Sequence, residues 1–324
     1  MEGKFFAALD VGGTKIYTVV ANEKLQILAQ QERPTAAAAG PKAVIEQIYF
    51  SLQQTTAKAK IKKNDLQAVG ICIAGFYDHR RKLLRNSPNL KGWDDIALSE
   101  IMAKKIGLPV LVENDANAAA LGEALYGAAY GHDNVVFITV STGIGAGLIL
   151  NNKIYRGEEG FAGELGHVIV APGGPLCGCG QRGCLEAMAS GTAIAREAQS
   201  AIDAHKNTIL KKLAAEKTIN AKDVFAAAAQ NDTLAQDIVN KAFFYLAIGT
   251  ANIINLLNPS VVVLGGGIMN NADKFLFQAL QKNIISYTSA AMQNIQIKRA
   301  ILGPEAGVKG MLGLLRANGE KGRS

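Results

Sequence analysis

Apolar runs and glycine-rich breaks alternate along the chain with a regularity that predicts an α/β protein. Residues 5–10 (Phe-Phe-Ala-Ala-Leu-Asp) form an apolar run ending on a carboxylate, the pattern of a buried strand. Residues 11–14 (Val-Gly-Gly-Thr) read as a tight turn, 15–21 as a return strand, and 26–32 as a further strand. Pro41 opens a helix in which Val44, Ile45, Ile48 and Leu52 recur at helical spacing. Residues 69–75 form the next buried strand, stopped at Gly75. The same order then returns: a strand at 134–140, a glycine turn at 141–147 and a return strand at 148–153. Even the tails correspond, as Asn22-Glu23-Lys24 and Asn151-Asn152-Lys153. One strand–glycine turn–strand hairpin per half predicts a duplicated fold with the two turns facing each other. Helical stretches follow at 192–203, 223–229 and 233–257; Pro259 ends the last, and residues 261–264 run as a strand into Gly265-Gly266-Gly267. Strands alternating with helices place binding loops at the strand ends.

Three glycine segments carry candidate chemistry. Glycine lets backbone N–H groups approach phosphate oxygens closely. Asp10-x-Gly12-Gly13-Thr14-Lys15 sets a carboxylate just before such a turn, a placement suited to a water-mediated hold on Mg²⁺. Thr142-Gly143-x-Gly145-x-Gly147 offers a second cradle, and Gly265-Gly266-Gly267 a close-approach site for an adenosine. Taken singly, each turn reads equally as a plain hairpin, and none has the spacing of a P-loop or a dinucleotide fingerprint. The apolar residues 110–112 end on Glu113, Asn114 and Asp115, and an Ala-rich helix follows. Two readings stay open there: Asp115 faces a ligand, or Asp115 or Asn114 caps the helix beginning near Ala116. Three polar residues at one strand end exceed what a cap requires. Finally, His167 with Cys177, Cys179 and Cys184 makes a Cys₃His set, complete for tetrahedral Zn²⁺ with no open position, which points to a structural metal. Such a metal would pin a loop carrying Glu164 and Glu186, two carboxylates able to meet a polyol, while His167 donates from its second ring nitrogen.

Composition changes this picture in a few places. At 324 residues the chain exceeds what one core usually holds, so two lobes are expected. No run approaches the ~18 apolar residues of a membrane span, and residues 1–4 lack the pattern of a signal peptide, so a cytoplasmic protein is expected. Three of the four cysteines fall within eight residues, which in that compartment favours a metal over disulfides. The net charge of +7 comes partly from Lys58, Lys60, Lys62 and Lys63 and from His79, Arg80, Arg81, Lys82 and Arg85. No aromatic residues interleave with these charges, so they read as solvated surface, and no nucleic acid or membrane partner is expected. A mildly basic surface also suits an anionic substrate such as ATP.

In combination these motifs resemble the ROK family of bacterial sugar kinases and repressors, from Asp10 to about Gly267. The likeness to the family's glucokinases is greatest in residues 142–149 and 184–193, and Ser141 departs from it, standing where many members have Thr. The resemblance implies an actin-like (ribonuclease H-like) α/β fold of two lobes with a duplicated core and a cleft between them. It places a small lobe at 1–113 plus 305–324, and a large lobe with the zinc-binding loop and a dimerisation surface at 114–304. It implies ATP-Mg²⁺ held by Asp10, Gly12, Gly13, Thr14, Lys15, Thr142, Gly143, Gly145, Gly265, Gly266 and Gly267. Glucose would be held by Gly75, Asn89, Asn114, Asp115, Glu164, His167 and Glu186, with Asp115 accepting the proton of its C6 hydroxyl. His167, Cys177, Cys179 and Cys184 would bind structural Zn²⁺. The family also phosphorylates N-acetylmannosamine, N-acetylglucosamine, fructose and allose, and its members assemble as homodimers or homotetramers. A sugar-sensing regulator is the alternative reading. The nine residues before Asp10 leave no room for the DNA-binding module that the family's repressors carry there, and an intact Asp115 argues for catalysis.

Overall fold

The expected alternation of strands and helices is present in the computed structural model, which describes residues 4–87 and 90–321. The chain forms two compact units: Met1–Asp133 with Gly147–Ala162 and Ile301–Ser324, and Asn134–Ala146 with Gly163–Ala300.

The first unit contains β1 (Phe5–Val11), β2 (Lys15–Asn22), β3 (Ile27–Pro34), β4 (Leu66–Ile73), β5 (Phe76–Asp78), β6 (Leu83–Asn86) and β7 (Val110–Asn114). Five of these make one sheet in the order β3-β2-β1-β4-β7, and β5 with β6 forms a small hairpin. β1, β4 and β7 run parallel, while β2 and β3 are antiparallel returns. Strand alternation then sorts β1 between two cores. Phe5, Ala7, Leu9 and Val11 join Val44, Ile48 and Leu52 of the helix Gly40–Lys58. Phe6 and Ala8 join Val308, Met311 and Leu312 of the helix Ala306–Lys321. Asp10 shares the parity of Phe6 and Ala8, so its carboxyl lies on the side of that C-terminal helix: a Cβ built on Gly307 would stand 3.4 Å from Asp10 Oδ2.

The helix Asp115–Tyr126, beyond the lobe boundary drawn on the sequence at 113/114, belongs to this unit and packs on Ala306–Lys321. The two helices approach so closely that a Cβ on Gly122 would strike the Ala306 carbonyl, and one on Gly310 the Ala118 carbonyl. The basic residues near β5 and β6 are paired with acids: Arg80 with Glu158, Arg81 with Asp78 at 3.9 Å and Arg85 with Asp95 at 3.0 Å.

The second unit holds β8 (Val135–Val140), the start of β9 (Ile144–Leu150), β11 (Val261–Gly265) and β12 (Gln296–Arg299), in the order β9-β8-β11-β12. β9 continues into residues grouped with the first unit, where β10 (Lys153–Ile154) pairs with its end. β8, β11 and β12 are parallel. Val135, Val136, Ile138 and residues 261–264 are wholly inaccessible, which explains their uninterrupted apolar runs. The helix Thr233–Leu257 starts on an Asp232 cap and ends at Asn258, in the left-handed conformation at φ 43°, before Pro259. Thus β2-β1-β4-β7 and β9-β8-β11-β12 repeat one topology, and the duplication expected from two hairpins extends to both sheets. No described helix is long and apolar enough to cross a membrane.

Glu123, inside the helix Asp115–Tyr126, is fully buried, with no cation paired to it among the described residues; its carboxylate accepts the N–H groups of Ala128 (2.7 Å), Ile301 (3.0 Å) and Leu302 (2.9 Å). It ties the returning chain to that helix. Glu123→Ala would leave these donors without their acceptor and is expected to cost on the order of 3 kcal/mol. Thermal melting checks this; an unchanged midpoint would mean water replaces the carboxylate without loss.

Candidate active site and metal centre

In the first unit, residues 12–14 link β1 to β2 as the expected turn, closed by Gly12 N–H donating to the Lys15 carbonyl at 3.0 Å. The Lys15 ammonium is paired with Glu32 at 2.6 Å, an exposed cross-strand contact, and so is already engaged. Asp10 ends the buried part of β1. Burial raises its pKa to about 7, aided by the charge of Asp115; a bond from the Cys72 thiol and the more distant Lys15 charge oppose the rise. Burial likewise raises Asp115, against the Ala116 N–H bonded to it. Among the described residues no basic side chain lies within 4.0 Å of either carboxylate. Two neighbouring acids, each raised by burial and neither paired with a cation, make a donor set suited to a divalent cation.

The end of β7 shows which residue of the Glu-Asn-Asp segment caps the helix. The cap is Asn114: its Oδ1 accepts Ala116 N–H at 2.9 Å and Asn117 N–H at 3.1 Å, and its Nδ2 donates to the Gly75 carbonyl at 3.1 Å. Most of the Asn114 amide and the Gly75 carbonyl are therefore committed to the scaffold, leaving one amide hydrogen for a ligand. Asp115 is the first helical residue; Oδ1 accepts Ala116 N–H at 2.9 Å, and Oδ2 has no bond among the described residues. Asn89 lies outside the described residues.

Glu113 is the functional neighbour that sequence reasoning missed. It is wholly buried and accepts Arg156 Nη2 at 2.6 Å and Nε at 2.8 Å on Oε2, with His79 Nε2 and Asn117 Nδ2 each at 3.1 Å on Oε1. Burial pushes its pKa up, but the His79 bond and the Arg156 charge outweigh that and hold it below the ordinary glutamate value. So two carboxylates two positions apart are driven in opposite directions, one fixed as an anion and one left unpaired.

In the second unit, the turn 141–143 joins β8 to β9, with Gly145 already inside β9. The third glycine segment lies against it: Gly265 ends β11, Gly266 has φ +90°, and Gly267 opens the short helix Gly267–Asn271. A Cβ on Gly266 would stand 2.7 Å from Val140 N and 2.8 Å from Thr139 Oγ1, so only glycine permits this approach. Glu186, on the helix Leu185–Ala189, accepts Ile144 N–H at 2.9 Å. Its carboxylate thus supports the glycine turn, an engagement the sequence did not suggest.

The metal candidates converge as their spacing implied. The donor atoms of His167, Cys177, Cys179 and Cys184 all lie within 4.8 Å of one another. Cys179 and Cys184 sulfurs are 3.6 Å apart, and Cys177 Sγ is 3.6 Å from His167 Nδ1. A tetrahedral centre with bonds of about 2.3 Å to sulfur and about 2.05 Å to nitrogen has edges of about 3.8 and 3.6 Å, so the set fits such a metal. His167 Nε2 points away from the sulfurs and lies 3.8 Å from Glu164 Oε2, a carboxylate in the usual orienting place behind a metal-binding imidazole.

A duplicated sheet with a glycine turn in each half and unpaired carboxylates at parallel strand ends defines an α/β protein of the actin-like fold. The chain belongs to the ROK family, which it matches over residues 6–318. It is 34% identical to a glucokinase of Thermotoga maritima over 95% of this chain and 96% of that protein. Its fold is similar to a ROK hexokinase from Thermus thermophilus (TM-score 0.83, 36% identity, 99% of this chain and 100% of that one). It is also similar to a ROK family glucokinase from Streptomyces griseus in complex with glucose and AMPPNP (TM-score 0.81, 33% identity, 96% and 98% covered).

The Asp10 carboxyl has a consequence for stability. Between its unfolded value of 3.8 and its folded value of about 7 the native state holds one proton more than the unfolded chain, so this group's stabilisation is lost as pH rises through that window. In ligand-free protein without magnesium, Asp10→Asn is expected to melt above the wild type at pH 8, with the gap closing towards pH 5. A gap independent of pH would show that Asp10 is not held protonated.

Proposed function

We propose that this protein is an ATP-dependent glucokinase, transferring the γ-phosphoryl group of ATP to the C6 hydroxyl of glucose to give glucose 6-phosphate and ADP. The observation that carries the reading is the contrast at the ends of β1 and β7: Asp10 and Asp115 raised and without cations, Glu113 beside them paired and anionic. Family membership and the glucokinase relatives support it. In this reading Asp115 accepts the proton of the C6 hydroxyl as that oxygen attacks the γ-phosphorus and the bond to the bridging oxygen of the leaving ADP breaks. The raised pKa of Asp115 makes it a better acceptor than a solvated aspartate, but the larger effect is alignment of the hydroxyl. Mg²⁺ supplies charge neutralisation on the phosphates when bound, and Asp10 is the residue that would hold it. Gly12, Gly13, Thr14, Thr142, Gly143 and Gly145 offer backbone to the phosphates, and Gly265, Gly266 and Gly267 to the adenosine. Asn114, Glu164, His167 and Glu186 would meet the sugar hydroxyls.

A coupled assay across a panel of hexoses with ATP and magnesium tests the reaction, glucose being expected to have the highest kcat/KM. Asp115→Asn is expected to lower kcat by about 10²- to 10⁴-fold while glucose still binds; near-normal turnover removes Asp115 from the chemistry.

We further propose zinc as the occupant of the Cys₃His centre, in a structural role, since four protein donors leave no open position. Elemental analysis of the purified protein is expected to find about one zinc per chain, lost in Cys179→Ser together with sugar affinity. Protein that is active and free of zinc would end this assignment.

A further inference from the structure

We propose that Thr35 and Thr192 are positioning residues for the nucleotide phosphates, each holding the carbonyls of one glycine turn so that the turn's peptide N–H groups are left for a polyphosphate. This inference rests on the kinase reading above.

In the first unit, Thr35 follows β3 and is fully buried. Its Oγ1 donates to the Gly12 carbonyl at 2.6 Å, and its N–H donates to the Thr14 carbonyl at 3.0 Å. In the second unit, Thr192 stands at the start of the helix Gly191–Asp203, where the first N–H groups have no partner inside the helix. Both its N–H (3.2 Å) and its Oγ1 (2.8 Å) donate to the Thr142 carbonyl, and Gly191 N–H donates to the Ser141 carbonyl at 2.8 Å. The two threonines are unrelated in local structure, yet each spends both of its donors on a glycine turn.

The effect follows from peptide geometry. A trans peptide carries its C=O and N–H on opposite sides, and no peptide bond of the described residues is cis. Tying back the Gly12 carbonyl therefore turns the Gly13 N–H the other way. Tying back the Ser141 and Thr142 carbonyls does the same for the N–H groups of Thr142 and Gly143. The remaining donors of the second turn are consumed: Ser141 N–H by the Gly143 carbonyl at 2.9 Å, and Ile144 N–H by Glu186 at 2.9 Å. Among the described residues the N–H groups of Gly13, Thr142 and Gly143 have no acceptor. Successive turn N–H groups freed in this way make an anion-binding concavity, which favours the charged oxygens of a phosphate over the hydroxyls of a neutral sugar.

The test replaces only the hydroxyls, with Thr35→Val and Thr192→Val, and restores them with Thr35→Ser and Thr192→Ser. Binding of a non-hydrolysable ATP analogue with magnesium is measured by calorimetry, beside KM for ATP, KM for the hexose and melting temperature. Each valine variant is expected to weaken analogue binding and raise KM for ATP about three- to tenfold, as loss of one hydrogen bond implies, with KM for the hexose unchanged and serine restoring the wild-type value. Should the buried Thr35→Val fail to fold, Thr192→Val at its exposed helix start decides alone. Unchanged nucleotide affinity, an equal loss for sugar and nucleotide, or failure of serine to restore binding overturns the proposal. Wild-type protein that binds no nucleotide overturns both this and the kinase reading, whereas wild-type binding with unaltered variants overturns this inference alone.

Discussion

Glu113 remains an anion in the interior because Arg156 and His79 meet it there, and that pairing decides what the end of β7 can do. A buried carboxylate without partners would take a proton or unfold its surroundings. With Glu113 satisfied, the strand can end on polar residues in a dry place. Asn114 then spends its oxygen on the first helix donors and its nitrogen on the Gly75 carbonyl. Among the described residues no basic side chain neutralises Asp115. Its unpaired state is the last term in a series of saturated partners.

The candidate metal centre extends this logic to the second unit. Few apolar side chains hold the segment 163–184, and four donors converge within it. The residues leaving that knot are Leu185, Glu186 and then Ser190, Gly191 and Thr192, and they grip the turn 141–144 through Glu186, Gly191 and Thr192. Gly166, on the other arm of the knot, lies against the Ile144 carbonyl, where a Cβ would collide with it. Backbone and side-chain hydrogen bonds therefore connect the segment that carries the four donors to the glycine turn.

What the sequence made legible was whatever is local or repeated. Both hairpins announce themselves by glycines at matching places, Pro41 and Pro259 bound helices through a missing N–H, and His167 with three clustered cysteines reads as one donor set. What stayed hidden are contacts between ordinary residues far apart. Glu113 and Arg156 are 43 residues distant, and neither the strand end nor the loop signals the other. Lys15 looked available for phosphate, and only the register of β2 with β3 brings Glu32 to it. Whether Asn114 or Asp115 capped the helix could not be read either, since both residue types cap equally well and a shift of one position is invisible to periodicity. Likewise Gly122 and Gly310 look like weak points in two helices until the helices are seen to need them at their crossing.

The duplication also shows where the halves had to differ. In the first, β3 is eight residues long and runs beside β2 until Pro34 lies opposite Lys15, which delivers Thr35 to the turn. The topological counterpart, β10, has two residues and pairs only with Leu150 and Ile149, far short of the turn at 141–143. The second hairpin therefore lacks the strand that anchors the first. Its turn carbonyls must be held from elsewhere, and the donors come from the helix start at Gly191 and Thr192, directly after the Cys₃His segment. The first turn is thus held from the end of a long strand, and the second from a helix start that follows the four converging donors.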